Sequence, residues 1–155
     1  MLDIAYAVAE HSKDPSTKVG CVIVDQDKRI VSTGYNGMIA GSMDEHLPFE
    51  RPMKYRTVIH AEMNALLFAR RDLKNCTMYI TDAPCEQCLK HTLQAGIRKI
   101  YYGSTEILRR WNDTEGVEAI KRLILSVDAT VLNWNTKDSL ISELSCLYKE
   151  EDIMK

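Results

Sequence analysis

Apolar residues recur along this chain with two different spacings, and the two spacings separate helices from strands. Helical spacing over residues 2–11 and 138–150 predicts a first helix and a final amphipathic helix. Dense β-branched runs at 19–25 and 30–35 predict two strands, and the polar residues 25–28 between them indicate a tight turn. The chain therefore opens with a helix followed by an antiparallel hairpin.

The next stretch, residues 36–55, has no clear periodicity. Gly37, Gly41, Pro48 and Pro52 interrupt it. A loop of this length inside a compact domain is usually functional. We therefore expect this region to take part in ligand binding.

Helices and strands alternate in the rest of the chain. Thr57 is a suitable N-cap for a helix that runs to about Arg71. Strands and helices then follow in turn at 76–81, 85–95, 97–102, 116–125 and 129–132. This alternation implies parallel strands with right-handed crossovers. The pattern predicts an α/β protein with three α/β/α layers, in which helices cover both faces of a mixed sheet of about five strands.

Composition places the chain among ordinary globular proteins. Its 155 residues are 45% apolar and 27% charged, which favours a single domain over 1–155. No apolar run approaches the ~20 residues of a membrane span. The N-terminus carries Asp3 and no basic leader, so we expect an intracellular, cytoplasmic protein rather than a secreted one.

Charge bears on the kind of substrate. The net charge is −2, and acids and bases are interspersed. Proteins that follow a polyphosphate backbone usually carry a basic stripe, whereas here only short clusters such as Arg70-Arg71 and Arg109-Arg110 occur. We therefore expect a small-molecule substrate and no stable nucleic-acid or membrane partner.

The five cysteines indicate metal or redox chemistry rather than a disulfide framework. Their number is odd and no secretory signal precedes them. Cys85 and Cys88 form a C-x-x-C pair. Cys21, Cys76 and Cys146 lie in apolar patterns, so we predict that these three are buried thiols.

The stretch from His60 to Cys88 predicts a catalytic metal centre. Cys85 and Cys88 are three residues apart, so both sulfurs face the same way in the first turn of a helix that Pro84 can open. One histidine and two cysteines make three ligands. Three protein ligands with an open fourth position are typical of catalytic zinc, because structural zinc normally has four.

Glu62 is the acid and base of this hypothesis. Zinc lowers the pKa of bound water to about 7, and Glu62 would carry the proton to a ring nitrogen and then to a leaving amine. Residues i and i+2 diverge by about 200° on a helix, so His60 and Glu62 can serve one centre only at a helix end. The combination of H-x-E with P-C-x-x-C is the signature of zinc nucleobase deaminases.

Other interpretations of these motifs remain open at this point. A lone C-x-x-C also occurs in redox pairs and in structural zinc sites, and His91 is the nearest candidate for a fourth zinc ligand. A zinc-binding scaffold without catalysis is a further alternative. The presence of Glu62 argues against it, because a scaffold does not need that carboxylate.

Over residues 3–105 the chain resembles the deoxycytidylate (dCMP) deaminases, a branch of the zinc-dependent cytidine/deoxycytidylate deaminase family that includes phage-encoded members. The matching segments are Ser12–Pro15, 18–24, the GYNGM run 34–38, the DEHLPF run 44–49, HAEMNA at 60–65 and PCEQC at 84–88. HAE and PCxxC are shared by the whole superfamily. The GYNG loop and the LPF insert resemble the nucleotide branch.

The resemblance implies a cytidine deaminase-like fold and conversion of dCMP to dUMP and ammonia for thymidylate synthesis. It implies a zinc-dependent enzyme that forms a homo-oligomer, commonly a hexamer. It also implies activation by dCTP with Mg²⁺ and inhibition by dTTP. If the protein is phage-encoded, it would act in the host cytoplasm.

The resemblance also suggests roles for individual residues. Asn36 would hold sugar or phosphate groups, the Ala61 N–H would bind the pyrimidine, and Tyr102 would line the pocket, although a core position suits Tyr102 equally well. The candidate effector or phosphate region comprises Lys18, Tyr35, Asp44 and Arg51.

Two departures limit what the family likeness implies. Ile39 follows GYNGM where the family often has proline. Some members carry a second zinc site near the inserted loop, whereas this loop offers only His46, so we expect one Zn²⁺ per subunit. Beyond residue 105 no family match is evident, so regulation stays open. A tRNA adenosine or single-stranded DNA cytidine deaminase is the alternative enzyme, although it would need a basic or aromatic path for the strand.

Overall fold

Five strands form one mixed sheet in the order β2–β1–β3–β4–β5. The computed structural model describes residues 1–43 and 46–153, with side chains through residue 147. The strands are β1 (Gly20–Val24), β2 (Ile30–Tyr35), β3 (Thr77–Ile80), β4 (Lys99–Tyr102) and β5 (Thr130–Asn133). β1 pairs antiparallel with β2 and β3, whereas β3, β4 and β5 are parallel. The predicted hairpin and the mixed sheet of five strands are confirmed.

Helices cover both faces of the sheet. They are α1 (Leu2–Ala9), α2 (Lys54–Thr57), α3 (Ala61–Ala69), α4 (Glu86–Gln94), α5 (Glu106–Trp111), α6 (Thr114–Ser126) and α7 (Leu140–Ile153). Side chains alternate along β1, so Val22 and Val24 pack with α1 while Cys21 and Ile23 face the main core. That core also holds buried residues of α3, α4, α6 and α7. The three α/β/α layers are those the sequence predicted.

Within the described residues, no helix combines the length and the apolar character needed to cross a membrane.

Close backbone packing places α3 directly on β2. A Cβ atom added to Gly34 would lie 2.3 Å from the Ala61 carbonyl oxygen and 2.5 Å from the Ala65 backbone nitrogen. Only glycine leaves room for the helix at this distance. The glycine that begins the GYNG run therefore fixes the position of the N-terminus of α3.

The start of α3 differs from the prediction. The helix begins at Ala61, and Thr57 is instead the last residue of the short helix α2. The Ile59 N–H donates to the Gly37 carbonyl oxygen at 2.7 Å, and the Gly37 N–H donates back at 3.0 Å. This isolated bridge keeps the chain extended up to His60. Capping propensity at Thr57 could not reveal the contact of Ile59 with a residue 22 positions earlier.

A second difference concerns α5, a helix that was not predicted from the sequence. The helix has six residues, and its N-cap residue Thr105 makes no side-chain capping bond. Six residues are too few to show a helical period, and the local acceptor, Ser104 Oγ, lies one residue before the N-cap position and bonds the Glu106 N–H at 3.1 Å. The predicted helix that follows is present and somewhat longer, because the Asp113 side chain caps it by accepting from the Gly116 N–H at 3.0 Å.

Cys146 is exposed, so the prediction of a buried thiol was wrong there, whereas Cys21 and Cys76 are buried as predicted. Leu140 and Leu144 mark the buried stripe of α7. Cys146 lies two residues beyond Leu144, and two residues correspond to about 200° around a helix. The thiol therefore faces away from the core.

Candidate active site

Three predicted metal ligands lie together at the ends of two helices. His60 is the N-cap residue of α3 and Cys85 is the N-cap residue of α4, both in extended conformation. Cys88 lies in the first turn of α4, and its backbone N–H donates to the Cys85 sulfur at 3.5 Å. The two helix N-termini therefore converge on one point.

The spacing of the three side chains fits a tetrahedral zinc ion. The His60 Nδ1 atom lies 3.7 Å from the Cys85 Sγ and 3.4 Å from the Cys88 Sγ. Zn–S bonds of about 2.3 Å and Zn–N bonds of about 2.0–2.1 Å place tetrahedral ligands about 3.6 Å apart. Among the described residues, these three form the single cluster of His, Cys, Asp or Glu side chains with such spacing.

His91, the candidate for a fourth ligand, lies elsewhere. Its ring is exposed on α4, and its Nδ1 atom is 2.6 Å from the Gln87 carbonyl oxygen. The histidine therefore turns back onto its own helix. A fourth coordination position stays available for water or substrate, as in catalytic zinc sites.

The electrostatics of the ligand group suit a cation. The Cys88 thiol donates to the Cys85 sulfur, and this bond, together with the neighbouring His60, holds the pKa of Cys85 well below its usual value. The same bond and burial raise the pKa of Cys88. The hydrogen bond between the His60 ring and the Cys85 sulfur raises the pKa of His60. A bound Zn²⁺ would replace these shared protons.

Glu62 meets the geometric condition set by its spacing from His60. Because α3 begins at Ala61, His60 precedes the helix and Glu62 lies in its first turn. The Glu62 side chain is 4% exposed and lines the same cavity as His60 and Cys85. Burial raises its pKa to about 7, although the positive charge of His60 works in the opposite direction. A carboxyl group with such a pKa can both accept and return a proton near neutrality.

A cavity of about 290 Å³ opens next to the ligand group. Arg51 and Arg110 lie on its wall, on the loop before α2 and on α5 respectively. Trp111 also lines it, with its ring centroid 6.2 Å from that of His60. This volume lies at the lower end of the range for small-molecule sites. The cavity thus combines a metal centre with cationic side chains and an aromatic wall.

Asn36 lines the cavity, but both ends of its amide are bonded within the protein. Its Oδ1 accepts from the Val19 N–H at 2.8 Å, and its Nδ2 donates to the Thr17 carbonyl oxygen at 2.8 Å. In addition, Ser12 Oγ donates to the Asn36 carbonyl oxygen at 2.7 Å. Asn36 therefore fixes the wall formed by residues 12–19.

A buried ion pair completes this wall. The Lys54 ammonium lies 2.6 Å from the Asp14 carboxylate and donates to Ser16 Oγ at 2.8 Å. The second Asp14 oxygen accepts from the Ser16 and Thr17 N–H groups at 2.9 and 3.2 Å. Asp14 and Lys54 line the cavity, where their charges largely cancel.

Three residues predicted near the substrate lie outside the cavity. Tyr102 is fully buried in the main core, so placing it in the pocket was wrong. Lys18 pairs with Glu10 at 3.9 Å, and the Tyr35 ring packs against His11. Lys18 and Tyr35 thus lie beside the end of α1.

Of the remaining predictions, Ala61 and Arg51 line the cavity. Asp44 lies outside the described residues.

Several cavity residues were not predicted. Arg110 and Trp111 come from α5, which lies beyond the family match, and Asp82 precedes the ligand Cys85 by three residues. The Arg109-Arg110 cluster and a rare tryptophan were the available signals, but neither showed which side chain faces the site.

The fold and the three-ligand site define a zinc-binding enzyme of the α/β/α class. A sequence model described as "Cytidine and deoxycytidylate deaminase zinc-binding region" matches residues 1–104. The chain therefore belongs to the cytidine and deoxycytidylate deaminase family.

Individual relatives show which members of this family the chain resembles. The mouse deoxycytidylate deaminase is 37% identical over 145 residues, which cover 89% of this chain and 79% of the mouse protein. The deoxycytidylate deaminase of phage T4 is 30% identical, with 92% of this chain and 97% of the phage protein covered. The crystal structure of dCMP deaminase from cyanophage S-TIM5 with dCMP and dUMP superposes with a TM-score of 0.60 at 26% identity. That match covers 79% of this chain and 88% of the cyanophage chain.

Proposed function

We propose that this protein hydrolyses dCMP to dUMP and ammonia. Water adds to C4 of the pyrimidine, the bond from C4 to the exocyclic nitrogen breaks, and the nitrogen leaves as ammonia. The observation that carries the proposal is the buried carboxyl of Glu62 in one cavity with His60 and Cys85. The relatives named as deoxycytidylate deaminases support the choice of substrate.

His60, Cys85 and Cys88 would hold the metal. When bound, Zn²⁺ lowers the pKa of a coordinated water to about 7 and so supplies hydroxide at neutral pH. Glu62 accepts the proton that the water loses and delivers it to N3 of the ring. It then takes the second proton of the added water from the oxygen on C4 and passes it to the exocyclic nitrogen, so that ammonia rather than an amide anion leaves and C4 becomes a carbonyl carbon. Its raised pKa suits both steps, because one group must take and give a proton.

The first turn of α3 also binds the base in this proposal. Ala61 is the first helical residue, and the first N–H groups of a helix have no partner within it. Ala61 lines the cavity, so its N–H can donate to the pyrimidine carbonyl. The amide of Asn36 is already bonded to Val19 and Thr17. Asn36 therefore shapes the sugar side of the cavity through the wall that it holds in place.

Two arginines are the best candidates for binding the 5′-phosphate. Arg110 pairs with Glu106 one turn earlier, but both side chains are more than half exposed. Exposed pairs of this kind contribute only about 0.3–0.5 kcal/mol, so a phosphate can displace the glutamate. Arg51 lies over the face of Tyr55, with its guanidinium carbon 5.7 Å from the ring centroid. Lys54 suits the role less well, because Asp14 already neutralises it.

A substrate panel tests the proposal. Zinc-loaded protein is assayed by ultraviolet absorbance with dCMP, deoxycytidine, CMP, dCTP and a deoxyoligonucleotide. We expect the highest kcat/KM with dCMP. Equal values for dCMP and deoxycytidine would exclude a nucleotide-specific enzyme, and a preference for the oligonucleotide would favour the polynucleotide alternative.

Matched arginine variants test the phosphate contacts. Arg110→Gln and Arg51→Gln should each raise the KM for dCMP by about tenfold and leave that for deoxycytidine nearly unchanged. Arg122→Gln is the control, because Arg122 also pairs with a glutamate one turn earlier, on α6 and away from the cavity. An equal loss with both substrates would show that the arginines do not bind the phosphate.

Regulation, assembly and metabolic role are the parts of the proposal that rest on family resemblance. We propose a homo-oligomer that supplies dUMP for thymidylate synthesis, with dCTP and Mg²⁺ as activators and dTTP as inhibitor. Light scattering of the zinc protein measures the subunit number. Initial rates with dCTP, with and without Mg²⁺, and with dTTP measure the response to effectors.

A further inference from the structure

Asp82 is a buried carboxyl group of the cavity that the proton transfers above do not use. It is 9% exposed and lines the cavity, three residues before the ligand Cys85. It does not belong to the cluster formed by His60, Cys85 and Cys88. A buried carboxyl group without a catalytic task calls for another role, because its desolvation is unfavourable.

The contacts of Asp82 lead to the start of α5. Its Oδ1 accepts from the Ile107 N–H at 3.3 Å, and the neighbouring Ala83 N–H donates to the Ser104 carbonyl oxygen at 2.7 Å. The usual capping residue, Thr105, makes no side-chain cap. A six-residue helix has little stability of its own. Ser104 Oγ accepts from the Glu106 N–H at 3.1 Å, so the first N–H of α5 has a local partner. The loop that leads to Cys85 supplies the acceptor for the next N–H, that of Ile107.

Helix α5 forms one wall of the cavity. Ile107, Leu108, Arg110 and Trp111 all line it, and the Trp111 ring lies beside His60. A shift at the N-terminus of α5 would move these four side chains relative to the metal ligands. The position of the wall thus depends on the contact between Asp82 and Ile107.

We propose that Asp82 is a positioning residue for substrate binding, which caps α5 from the metal-ligand loop and so places Arg110 and Trp111 against the catalytic centre. A hydrogen bond from a backbone N–H to a carboxylate is stronger than one between neutral groups. Burial raises the pKa of Asp82 to about 6, which leaves the group mostly ionised at pH 7.5. The kinetic part of this inference rests on the proposed dCMP activity, whereas the structural part does not.

The first test removes the cap and observes the wall without substrate. The protein contains two tryptophans. A Trp134→Phe background therefore leaves Trp111 as the one fluorescent indole. Asp82→Ala should make Trp111 more accessible to acrylamide, while Asp82→Asn, which keeps an acceptor oxygen, should resemble the parent. A residue that contacts only substrate would leave the quenching of the free protein unchanged.

The second test removes the donor instead of the acceptor, and it also serves if Asp82→Ala does not fold. Ile107→Pro deletes the N–H in the first turn, where proline is tolerated, and Ile107→Val controls for the side chain. Ile107→Pro should increase the quenching of Trp111, and Ile107→Val should not. Unchanged quenching in Ile107→Pro, or equal impairment in Asp82→Asn and Asp82→Ala, would overturn the proposal.

Kinetics give the functional readout. Asp82→Ala should raise the KM for dCMP by about five- to tenfold, the effect of losing one cap, with zinc content retained and kcat within about threefold. A fall in kcat at unchanged KM would contradict a positioning role. If the parent protein does not distinguish dCMP from deoxycytidine, the proposed function fails, and the Trp111 quenching still decides whether Asp82 positions α5.

Discussion

The Lys54 ammonium and the Asp14 carboxylate face each other at 2.6 Å beside the cavity, and their side chains are 6% and 0% exposed. Every strong contact of Asp14 comes from the wall itself, from Ser16, Thr17 and Lys54. The pair joins the loop after α1 to α2. It therefore fixes the part of the cavity wall that these two segments form.

Breaking this pair from one side should destabilise the protein. Lys54→Met leaves a buried carboxylate unpaired, and such changes typically cost about 3–5 kcal/mol. The double variant Asp14→Asn/Lys54→Met should recover part of the loss. Urea denaturation measures the free energy of unfolding. Lys18→Met is the control, since the exposed pair with Glu10 at 3.9 Å should contribute less than about 1 kcal/mol.

The contribution of Asp14 should disappear in acid. Burial alone raises its pKa, but hydrogen bonds from Lys54, Ser16 and Thr17 outweigh burial, and the pKa lies below its usual value. A group with a lowered folded pKa stabilises the folded state above its unfolded pKa, near 4, and loses this effect as the pH falls through the folded value. The stability difference between wild type and Asp14→Asn should therefore shrink between about pH 5 and pH 3. A constant difference would contradict this assignment.

Glu62→Gln should separate metal binding from proton transfer. The amide cannot accept the proton from water, so kcat should fall by about 10²- to 10⁴-fold. Zinc content should stay near that of the wild type, because Glu62 is not among the three ligands. Glu86→Gln is the control variant, because Glu86 is also a glutamate in the first turn of its helix, α4. Substantial activity in Glu62→Gln would rule out the proton-shuttle role.

Removal of a single ligand should remove the metal. Cys85→Ala and Cys88→Ala should lose most of their zinc and all measurable activity, and both should unfold at lower temperature, because metal binding is coupled to folding. Cys146→Ala should match the wild type, since that thiol is exposed on α7. Metal analysis and thermal denaturation provide the measurements. Full zinc retention in either ligand variant would show that the metal is held elsewhere.

Asp82→Asn should stabilise the protein above neutral pH. Burial raises the folded pKa of Asp82 to about 6 from an ordinary value of 3.8. A raised folded pKa means that the group's contribution to stability is fully present below about pH 4 and is lost as the pH rises through about 6. At pH 7.5 the variant should gain up to about 3 kcal/mol, and at pH 4 nearly nothing. Equal stability at both values would indicate that Asp82 is not desolvated.

The metal ligands and Glu62 were predictable because their chemistry is local. His60 and Glu62 are two residues apart, Cys85 and Cys88 are three apart, and Pro84 marks the helix start. The sheet was predictable for a similar reason, since strand runs and their alternation with helices depend on near neighbours. The buried position of Tyr102 was also within reach, because it shares a strand face with the buried Ile100.

Other features depend on contacts between distant segments. Helix α5 is capped by a residue 25 positions before Ile107, and α3 starts late because Ile59 pairs with Gly37. No periodicity or capping preference within α5 could show that Arg110 and Trp111 face the cavity. These residues were missed because their position is set by tertiary contacts.

The short length of α5 has an evolutionary consequence. Its six residues include none of the metal ligands, and two side chains outside the helix, those of Asp82 and Ser104, accept from its first N–H groups. Mutations in this segment can alter the shape and charge of the cavity without affecting the group that activates water. Exchange of residues 104–113 between relatives is thus a direct route to altered selectivity. In this architecture, selectivity can diverge while the underlying reaction is inherited unchanged.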